Sequence, residues 1–233
     1  MPTSNLRDVA GLPTGDGRTT RPGVLLRGDS PFAEDAPPGL DWPPRQVVDL
    51  RTTAELDRPH PLAEVATVHH LPLTDALAPD AIARGEAGEL AIEDLYLLLT
   101  RGAATWLPPL LAIVTEGPWP VLVHCAAGKD RTGVAVAVLL RLAGVTRAAV
   151  EADFARTNAR RGVLWRRLVR RGALDAEDEV RGVGVDVADL SPALDLLDDG
   201  GPRAGVGVGV GVGVGVGDAV VARWRDVLLT ASE

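Results

Sequence analysis

The stretch that decides the fold runs from residue 120 to residue 144 and reads PVLVHCAAGKDRTGVAVAVLLRLAG. Its first five residues, Pro120 to His124, form an apolar run with the length of a buried strand. A loop beginning at Cys125 follows, and Val134 to Ala143 is a strongly apolar helix that ends at Gly144. The stretch therefore predicts a strand, a short loop and a buried helix in direct succession.

Other apolar runs predict the rest of the sheet. Three of them have the length and pattern of strands, namely Val24–Arg27, Gln46–Arg51 and Val65–Leu73. From Glu89 to Val114, leucines recur at helical spacing, and we expect helices that are broken near Pro108-Pro109. Strands that alternate with helical sections predict an α/β fold, in which helices flank a central, mostly parallel sheet.

The last third of the chain is less regular. Thr146 is placed to cap a helix, and 156–171 is a densely basic stretch, interpreted as a solvated helical face with Trp165 turned inward. The acidic segment 175–201 loses its apolar period and does not fit a compact domain. Residues 205–217 alternate glycine and valine, a composition that predicts a poorly ordered linker. Asp218 to Thr230 has the pattern of a last amphipathic helix.

Composition excludes several classes of protein. With 233 residues and a formal charge of −8, the chain lacks the net basic surface of a general nucleic-acid or anionic-membrane binder. One cysteine cannot form an internal disulfide, and four histidines leave little for zinc, so we expect no metal and no cofactor. The first thirty residues lack the apolar stretch of a signal peptide, and no apolar run is long enough for a bilayer. We therefore expect a cytoplasmic protein without stable membrane insertion, although export without a signal stays open.

The loop after Cys125 has the residues of an oxyanion site. Its backbone N–H groups can curl inward into a nest for a tetrahedral dianion, and the helix that follows adds its positive end. Gly128 permits the unusual dihedral angles of such a curl. The same field would keep Cys125 ionised as a nucleophile, and the guanidinium of Arg131 can bind two oxygens at once. Lys129, the only lysine of the chain, lies four residues after the only cysteine.

The run from His124 to Gly133 resembles the signature loop of cysteine-dependent protein-tyrosine phosphatases. Its Gly-Lys-Asp-Arg version is similar to the bacterial atypical branch, which acts on phosphotyrosine, in some cases on phosphoserine and phosphothreonine, and in some on phosphoinositides. Asn5–Gly11 with Arg21–Gly28 resembles the N-terminal motif of that branch, and Val47–Arg51 resembles its Asp-Leu-Arg strand end. The resemblance implies a phosphatase domain at 1–200, followed by the Gly-Val linker at 201–217 and a C-terminal helix at 218–233.

The resemblance also implies a mechanism with a phosphocysteine intermediate. Cys125 would attack phosphorus while the loop amides and Arg131 hold the equatorial oxygens, and Thr132 would donate a hydrogen bond to the departing sulfur. Substrate would be bound by the loop as a whole, that is by His124, Ala126, Ala127, Gly128, Lys129 and Gly133. His124 is expected to orient the loop rather than to transfer protons, and Lys129 to attract a second acidic group. The implied partners are phosphorylated proteins or phosphoinositides, and the oligomeric state stays open.

The general acid is not fixed by the sequence. Many tyrosine phosphatases carry it in a Trp-Pro-Asp triplet, which this chain lacks. Asp130 lies inside the loop, Asp49 lies at a predicted strand end and Asp75 follows another strand. We rank them in that order.

Two other functions compete with a phosphatase. A rhodanese-like sulfur transferase also places a cysteine in an anion-binding loop. A phospho-ligand binding module would keep the loop without turnover. Thr132-Gly133 after the arginine favours the phosphatase over the transferase, and the intact Cys125 and Arg131 count against a mere binding module.

Overall fold

The computed structural model describes residues 4–56, 59–74, 91–177, 184–198 and 216–231. Its centre is a five-stranded sheet in the order β1-β2-β5-β3-β4. The strands are β1 Arg7–Asp8, β2 Leu25–Gly28, β3 Gln46–Asp49, β4 Thr67–His70 and β5 Val121–His124. All neighbours pair in parallel except the short edge strand β1, which is antiparallel to β2. The predicted α/β fold with a mostly parallel sheet is confirmed.

Seven α-helices are present in the described parts of the chain. They are α1 Ile92–Arg101, α2 Ala103–Glu116, α3 Asp130–Ala143, α4 Arg147–Ala155, α5 Arg161–Arg170, α6 Val187–Asp198 and α7 Asp218–Leu228. Two short 3-10 helices lie at Thr53–Glu55 and Arg156–Arg160. Helix α3 is buried along almost its whole length, because it passes under the sheet and is surrounded by α1, α4, α6 and α7. Gly144 ends it with φ +91.

Alternate residues of the central strands point to opposite faces of the sheet, as the period of two in a strand requires. On β5, Val121 and Val123 face the helical layer, and Leu122 faces the other side. That other side is covered mainly by loop residues such as Leu62 and the half-buried Trp42. The large cluster between the sheet and the helices is thus the main core, and the loop between β5 and α3 lies at one edge of it.

The expected helix break near Pro108-Pro109 is wrong. The break lies at Gly102, where α1 and α2 meet at a bend of 70°. Both prolines lie inside α2 on its exposed face. Water can there bind the backbone carbonyls that lose their N–H partner, so the prolines are tolerated within the helix.

The acidic segment also differs from expectation, because it contains a packed helix. Helix α6 buries Leu190, Ala193, Leu194 and Leu197, and its closest packing partner is α1. Helix α7 is buried through Trp224, whose Nε1 donates to the Leu139 carbonyl at 2.9 Å. Residues 201–215 of the predicted linker lie outside the described residues, so the division into domain, linker and C-terminal helix stays a prediction.

Among the described helices, none by itself is both long and apolar enough to cross a membrane.

Candidate active site

The sheet brings the predicted site residues together at one edge. Cys125 to Lys129 form the loop between β5 and α3, and Asp130 to Gly133 form the first turn of α3. His124 ends β5, and its neighbours in the sheet register are Gly28 on β2 and Asp49 on β3. Because parallel strands end at the same edge, the segments after β2 and β3 converge on the loop.

Gly128 has the backbone conformation that the sequence predicts for it. Its φ is +65, and a Cβ placed there would lie 2.1 Å from the Gly28 carbonyl carbon. The loop therefore packs directly against the end of β2, at a distance that only glycine allows.

The carbonyl groups of residues 125–128 accept hydrogen bonds from outside the loop. His124 Nδ1 binds the Cys125 oxygen at 3.0 Å, the Ser30 N–H binds Ala126 at 3.1 Å and Asn5 Nδ2 binds Ala127 at 3.1 Å. The Gly128 carbonyl accepts from Arg27 Nη2 at 3.0 Å and from Asn5 Nδ2 at 3.3 Å. The loop peptide bonds are trans, so each N–H points away from the carbonyl of its own peptide plane. The N–H groups of residues 126–129 are thereby directed inward.

These inward N–H groups form a candidate anion-binding site, called the anion site. The amides of Ala126, Ala127 and Gly128 donate to no other group in the described parts of the chain. Cys125 lies at this loop and is 2% exposed. Convergent amides at a helix N-terminus bind tetrahedral oxyanions, and they also stabilise a thiolate.

Arg131 is held by a residue that sequence reasoning missed. Its Nη1 and Nη2 donate to the two carboxylate oxygens of Glu55 at 2.5 and 2.7 Å, and the arginine is fully buried. Burial, the largest single influence, acts to raise the pKa of Glu55, but the hydrogen bonds and charge of Arg131, together with hydrogen bonds from Thr52, outweigh it and lower that pKa. In the sequence, Thr52 and Glu55 have the spacing of a capping box, and the structure forms one, but this pattern does not predict the arginine.

Two polar atoms of this turn remain buried without a hydrogen-bond partner in the described structure, the Nε of Arg131 and the Oγ1 of Thr132. Because Glu55 occupies the Nη1–Nη2 end of the guanidinium, the edge with Nε is left for another acceptor. An unpaired buried donor costs free energy unless a ligand supplies the acceptor. Both atoms therefore support binding of an oxyanion in the loop.

Asp130 is bound by the only tyrosine of the chain, which sequence reasoning also missed. Asp130 is 3% exposed, and its Oδ1 accepts a hydrogen bond from the Tyr96 hydroxyl. Burial raises the pKa of Tyr96 well above its usual value, and Asp130 raises it further whenever that carboxyl is ionised, so the tyrosine stays protonated and keeps donating. The Asp130 Oδ2 lies 3.6 Å from the Lys129 ammonium.

Asp49 is held differently. Arg51 donates to both of its oxygens, at 2.8 to 3.2 Å. Burial acts to raise the pKa of Asp49. A charge on His124 would lower it, but burial keeps that ring neutral near pH 7, so the hydrogen bonds and permanent charge of Arg51 are what hold the pKa of Asp49 below its usual value. Asp49 is thus an anion at neutral pH. Asp75 lies outside the described residues.

Asp49, His60 and His124 form the one group in the described part of the chain with the side chains of a metal site. Burial lowers the pKa of His124 despite the nearby Asp49, so its ring is neutral. The Leu62 N–H donates to His60 Nδ1 at 3.1 Å, so the proton of a neutral His60 is on Nε2, 3.2 Å from His124 Nε2. With these tautomers, a hydrogen-bond chain runs from His60 through His124 to the Cys125 carbonyl.

The outer side of the loop packs on the basic helix α5. The side chains of Ala126 and Ala127 form a cluster with Leu164 and Leu168, and Trp165 is half-buried against it. The arginines of α5 therefore lie beside the loop.

Comparisons with known proteins agree with this geometry. A family profile described as the tyrosine phosphatase family matches residues 2–199. A protein of Cupriavidus necator, provisionally designated a tyrosine-protein phosphatase, is 29% identical over 208 residues, which cover 83% of this chain and 71% of that protein. The triple specificity protein phosphatase PtpB of Mycobacterium tuberculosis is 32% identical over 192 residues, which cover 66% of each. The chain thus spans about two thirds of the length of these relatives. The profile includes the whole loop and both strands beside it, so this chain is a phosphatase and belongs to the tyrosine phosphatase family.

Proposed function

We propose that this chain hydrolyses phosphotyrosine-type monoesters through a phosphocysteine intermediate on Cys125. The observation that carries the proposal is the loop itself, in which inward amides surround the only cysteine and Arg131 presents an unpaired Nε. The chemistry needs neither a metal nor a cofactor, because the loop and Arg131 supply the positive field that the phosphoryl oxygens require.

In the first step, the Cys125 thiolate attacks phosphorus in line with the ester oxygen. An S–P bond forms while the P–O bond to the leaving group breaks, and the equatorial oxygens are bound by the loop amides and by the Nε edge of Arg131. The leaving oxygen takes a proton from Asp130 and departs as a phenol.

In the second step, water attacks the phosphocysteine. Asp130, now ionised, accepts a proton from that water, and the S–P bond breaks to give inorganic phosphate and the thiolate. The Thr132 hydroxyl is buried without a hydrogen-bond partner in the described structure, so it is available to donate to the departing sulfur.

Asp130 is the better general acid on the geometry of the described residues. Asp49 is bound by Arg51 and its pKa is lowered, which makes it a poor proton donor at neutral pH. Asp130 lies in the same helical turn as Arg131. Its Oδ1 accepts a hydrogen bond from Tyr96, and its Oδ2 lies on the side of Lys129.

We extend the proposed substrates to phosphoserine, phosphothreonine and phosphoinositides, because the relative PtpB is named for triple specificity. Lys129 would bind a second acidic group of such substrates. A cytoplasmic location is proposed with them, since intracellular proteins carry these phosphates.

The sulfur-transferase alternative loses its support with the family assignment, and a binding module without turnover would not need the cysteine.

The test is hydrolysis of p-nitrophenyl phosphate in the presence of a chelator. Wild type should turn over, Cys125→Ser should lose essentially all activity, and Asp130→Asn should lose about a hundredfold or more in kcat, as expected for a general acid. Trapping of a phosphorylated Cys125 after rapid acid quench would support the intermediate. Activity that persists in Cys125→Ser would overturn the proposal.

A further inference from the structure

The N-terminal segment resembles a family motif, but it takes no part in the proposed reaction steps. Its Asn5 and Arg7 are buried, at 0% and 3% exposure, together with Arg27 at 1% and Asp153 at 1%. Four buried polar side chains in one place are costly unless every one of them is hydrogen-bonded. Their partners show what they are bound to.

Two of these side chains bind the outer surface of the loop at residues 125–129, called the phosphate loop. Asn5 Nδ2 donates to the carbonyls of Ala127 and Gly128, at 3.1 and 3.3 Å. Arg27 Nη2 donates to the Gly128 carbonyl at 3.0 Å. The Gly128 carbonyl thus accepts two hydrogen bonds, on the side of the loop away from the anion site.

The other two side chains fix the first pair. Asp153 accepts from Arg27 Nη1 at 2.7 Å and from Arg7 Nε at 2.9 Å. Arg7 Nη1 donates to the Asn5 side-chain oxygen at 2.7 Å. That bond determines the orientation of the amide, since an oxygen facing Arg7 leaves the Asn5 nitrogen facing the loop.

We propose that Asn5 and Arg27 are positioning residues for the phosphate loop, and that Arg7 and Asp153 hold them in place. The proposal rests on the proposed function, because it explains how the anion site stays formed before substrate binds. The hydrogen bonds of Asn5 and Arg27 reach the loop at its carbonyl groups and not at its inward N–H groups. They act through the carbonyls of Ala127 and Gly128.

The physical reason is repulsion inside the empty loop. Several N–H groups that converge without an anion repel one another, so the unliganded loop tends to turn its peptide planes outward. Donors on the opposite side hold the carbonyls and prevent that rotation. The charged Arg27 also polarises the Gly128 peptide, which strengthens its N–H on the inner side.

A preformed loop should bind anions tightly and stabilise the Cys125 thiolate, which makes the cysteine reactive toward alkylation. Loss of the outer donors should therefore weaken both properties in protein that is still folded. A purely structural role would lower stability and leave both properties of the folded protein unchanged.

The experiment compares Asn5→Ala and Arg27→Lys with wild type. Two readouts are the inhibition constant of orthovanadate against p-nitrophenyl phosphate and the rate of Cys125 alkylation by iodoacetamide at pH 6. We expect vanadate to bind about tenfold more weakly to each variant, as expected for the loss of one or two hydrogen bonds, and alkylation to slow by a similar factor. Arg27→Lys keeps a cation beside Asp153 but loses the guanidinium fork.

Asn158→Ala is the matched control. Asn158, the other asparagine of the chain, also donates through Nδ2 to a backbone carbonyl, that of Val185 at 2.9 Å, but it is exposed. Vanadate inhibition and alkylation should stay as in wild type. Near-ultraviolet circular dichroism reports the folded fraction, and if Asn5→Ala does not fold, Arg27→Lys decides by the same two readouts.

Each outcome separates the inference from the proposed function. Wild-type values in folded Asn5→Ala and Arg27→Lys would overturn the positioning role, even when wild type turns over substrate. Weaker vanadate binding and slower alkylation would support it. If wild type has no turnover, the proposed function is refuted. Vanadate binding is then measured by calorimetry and Cys125 alkylation by mass spectrometry, so wild type and the variants can still be compared. A wild type that also binds no vanadate would overturn both.

Discussion

In the proposed mechanism Arg131 binds two partners, Glu55 and the phosphoryl group, and its shape allows both. A guanidinium presents an end with two Nη groups and an edge with Nε and one Nη. Glu55 occupies the end, and Nε remains unpaired in the described structure. The carboxylate therefore orients the arginine without using the edge that an oxyanion needs.

Glu55→Gln should lower kcat/KM by about tenfold, because a neutral amide can accept at only one of its two positions and the arginine loses its fixed orientation. The lowered pKa of Glu55 means that its ion pair is fully present above the usual carboxyl pKa and is lost only as pH falls below it. The defect should thus be constant between pH 5 and pH 8, measured as a pH profile of kcat/KM. Glu151→Gln, which removes a surface pair with Arg147 at 2.8 Å, should change kcat/KM little. A wild-type profile in Glu55→Gln would show that Arg131 needs no such support.

The sequence predicts the residues of the site that are adjacent along the chain. Cys125, Asp130 and Arg131 lie in one motif, and the motif itself indicates their chemistry. Glu55 and Tyr96 could not be predicted, because their contacts with Arg131 and Asp130 join residues that are 76 and 34 positions apart. Only the packing of the folded chain shows which of 32 acidic side chains reaches the arginine.

At the scale of elements, the site depends on how closely the loop approaches β2. The Ser30 N–H binds the Ala126 carbonyl at 3.1 Å, so the segment after β2 runs beside the loop. Gly128 combines a positive φ with this close approach. Gly172 has nearly the same φ, +69, but a Cβ there would meet nothing within 4 Å. Substitution of Gly172 therefore tests backbone strain alone, whereas substitution of Gly128 tests strain together with a steric clash.

Gly128→Ala should lower kcat/KM by about a hundredfold or more, since a Cβ so close to the Gly28 backbone displaces the loop, and a displacement of that kind is costly for catalysis. Gly172→Ala should cost about 1 to 2 kcal/mol of unfolding free energy from its left-handed conformation alone and leave activity unchanged. Urea unfolding and p-nitrophenyl phosphate turnover on both variants give the comparison. Equal activity in the two variants would contradict the close packing of loop and strand.

Elements with a strong local pattern were predicted, and elements stabilised mainly by tertiary packing were not. The central strands and helix α3 have continuous apolar runs, which indicate burial directly. Helix α6 has acidic residues and Pro192 among its apolar positions, so its pattern is weak in the sequence. It is helical because Leu190, Leu194 and Leu197 pack into the core beside α1.

At the scale of the whole molecule, the C-terminal segment of the described chain is bound to the segment that precedes β2. The Arg21 N–H binds the Leu228 carbonyl at 2.8 Å, and the Thr230 N–H binds the Thr19 carbonyl at 2.9 Å. Helix α7 packs against α2 and α3, and its Trp224 and Leu228 lie in the main core. The segment after the Gly-Val stretch therefore belongs to the same core that carries the phosphate loop.

Trp224→Ala tests whether α7 unfolds together with that core. Trp224 is fully buried and its indole donates to Leu139 at 2.9 Å, so its removal should cost about 3 to 5 kcal/mol of unfolding free energy. Trp119 is a matched control, because its indole also donates to a backbone carbonyl, that of Val114 at 2.9 Å, but it is 39% exposed. Trp119→Ala should cost about 1 kcal/mol.

Urea unfolding followed by far-ultraviolet circular dichroism gives both free energies, and turnover is measured on the folded fraction. Trp224 does not touch the loop, so the folded Trp224→Ala protein should keep its kcat/KM. A single transition moved to lower urea would show that α7 and the sheet form one cooperative unit. A cost no greater than that of Trp119→Ala, or a separate early transition, would instead mean that the C-terminal helix docks on a core that is stable without it.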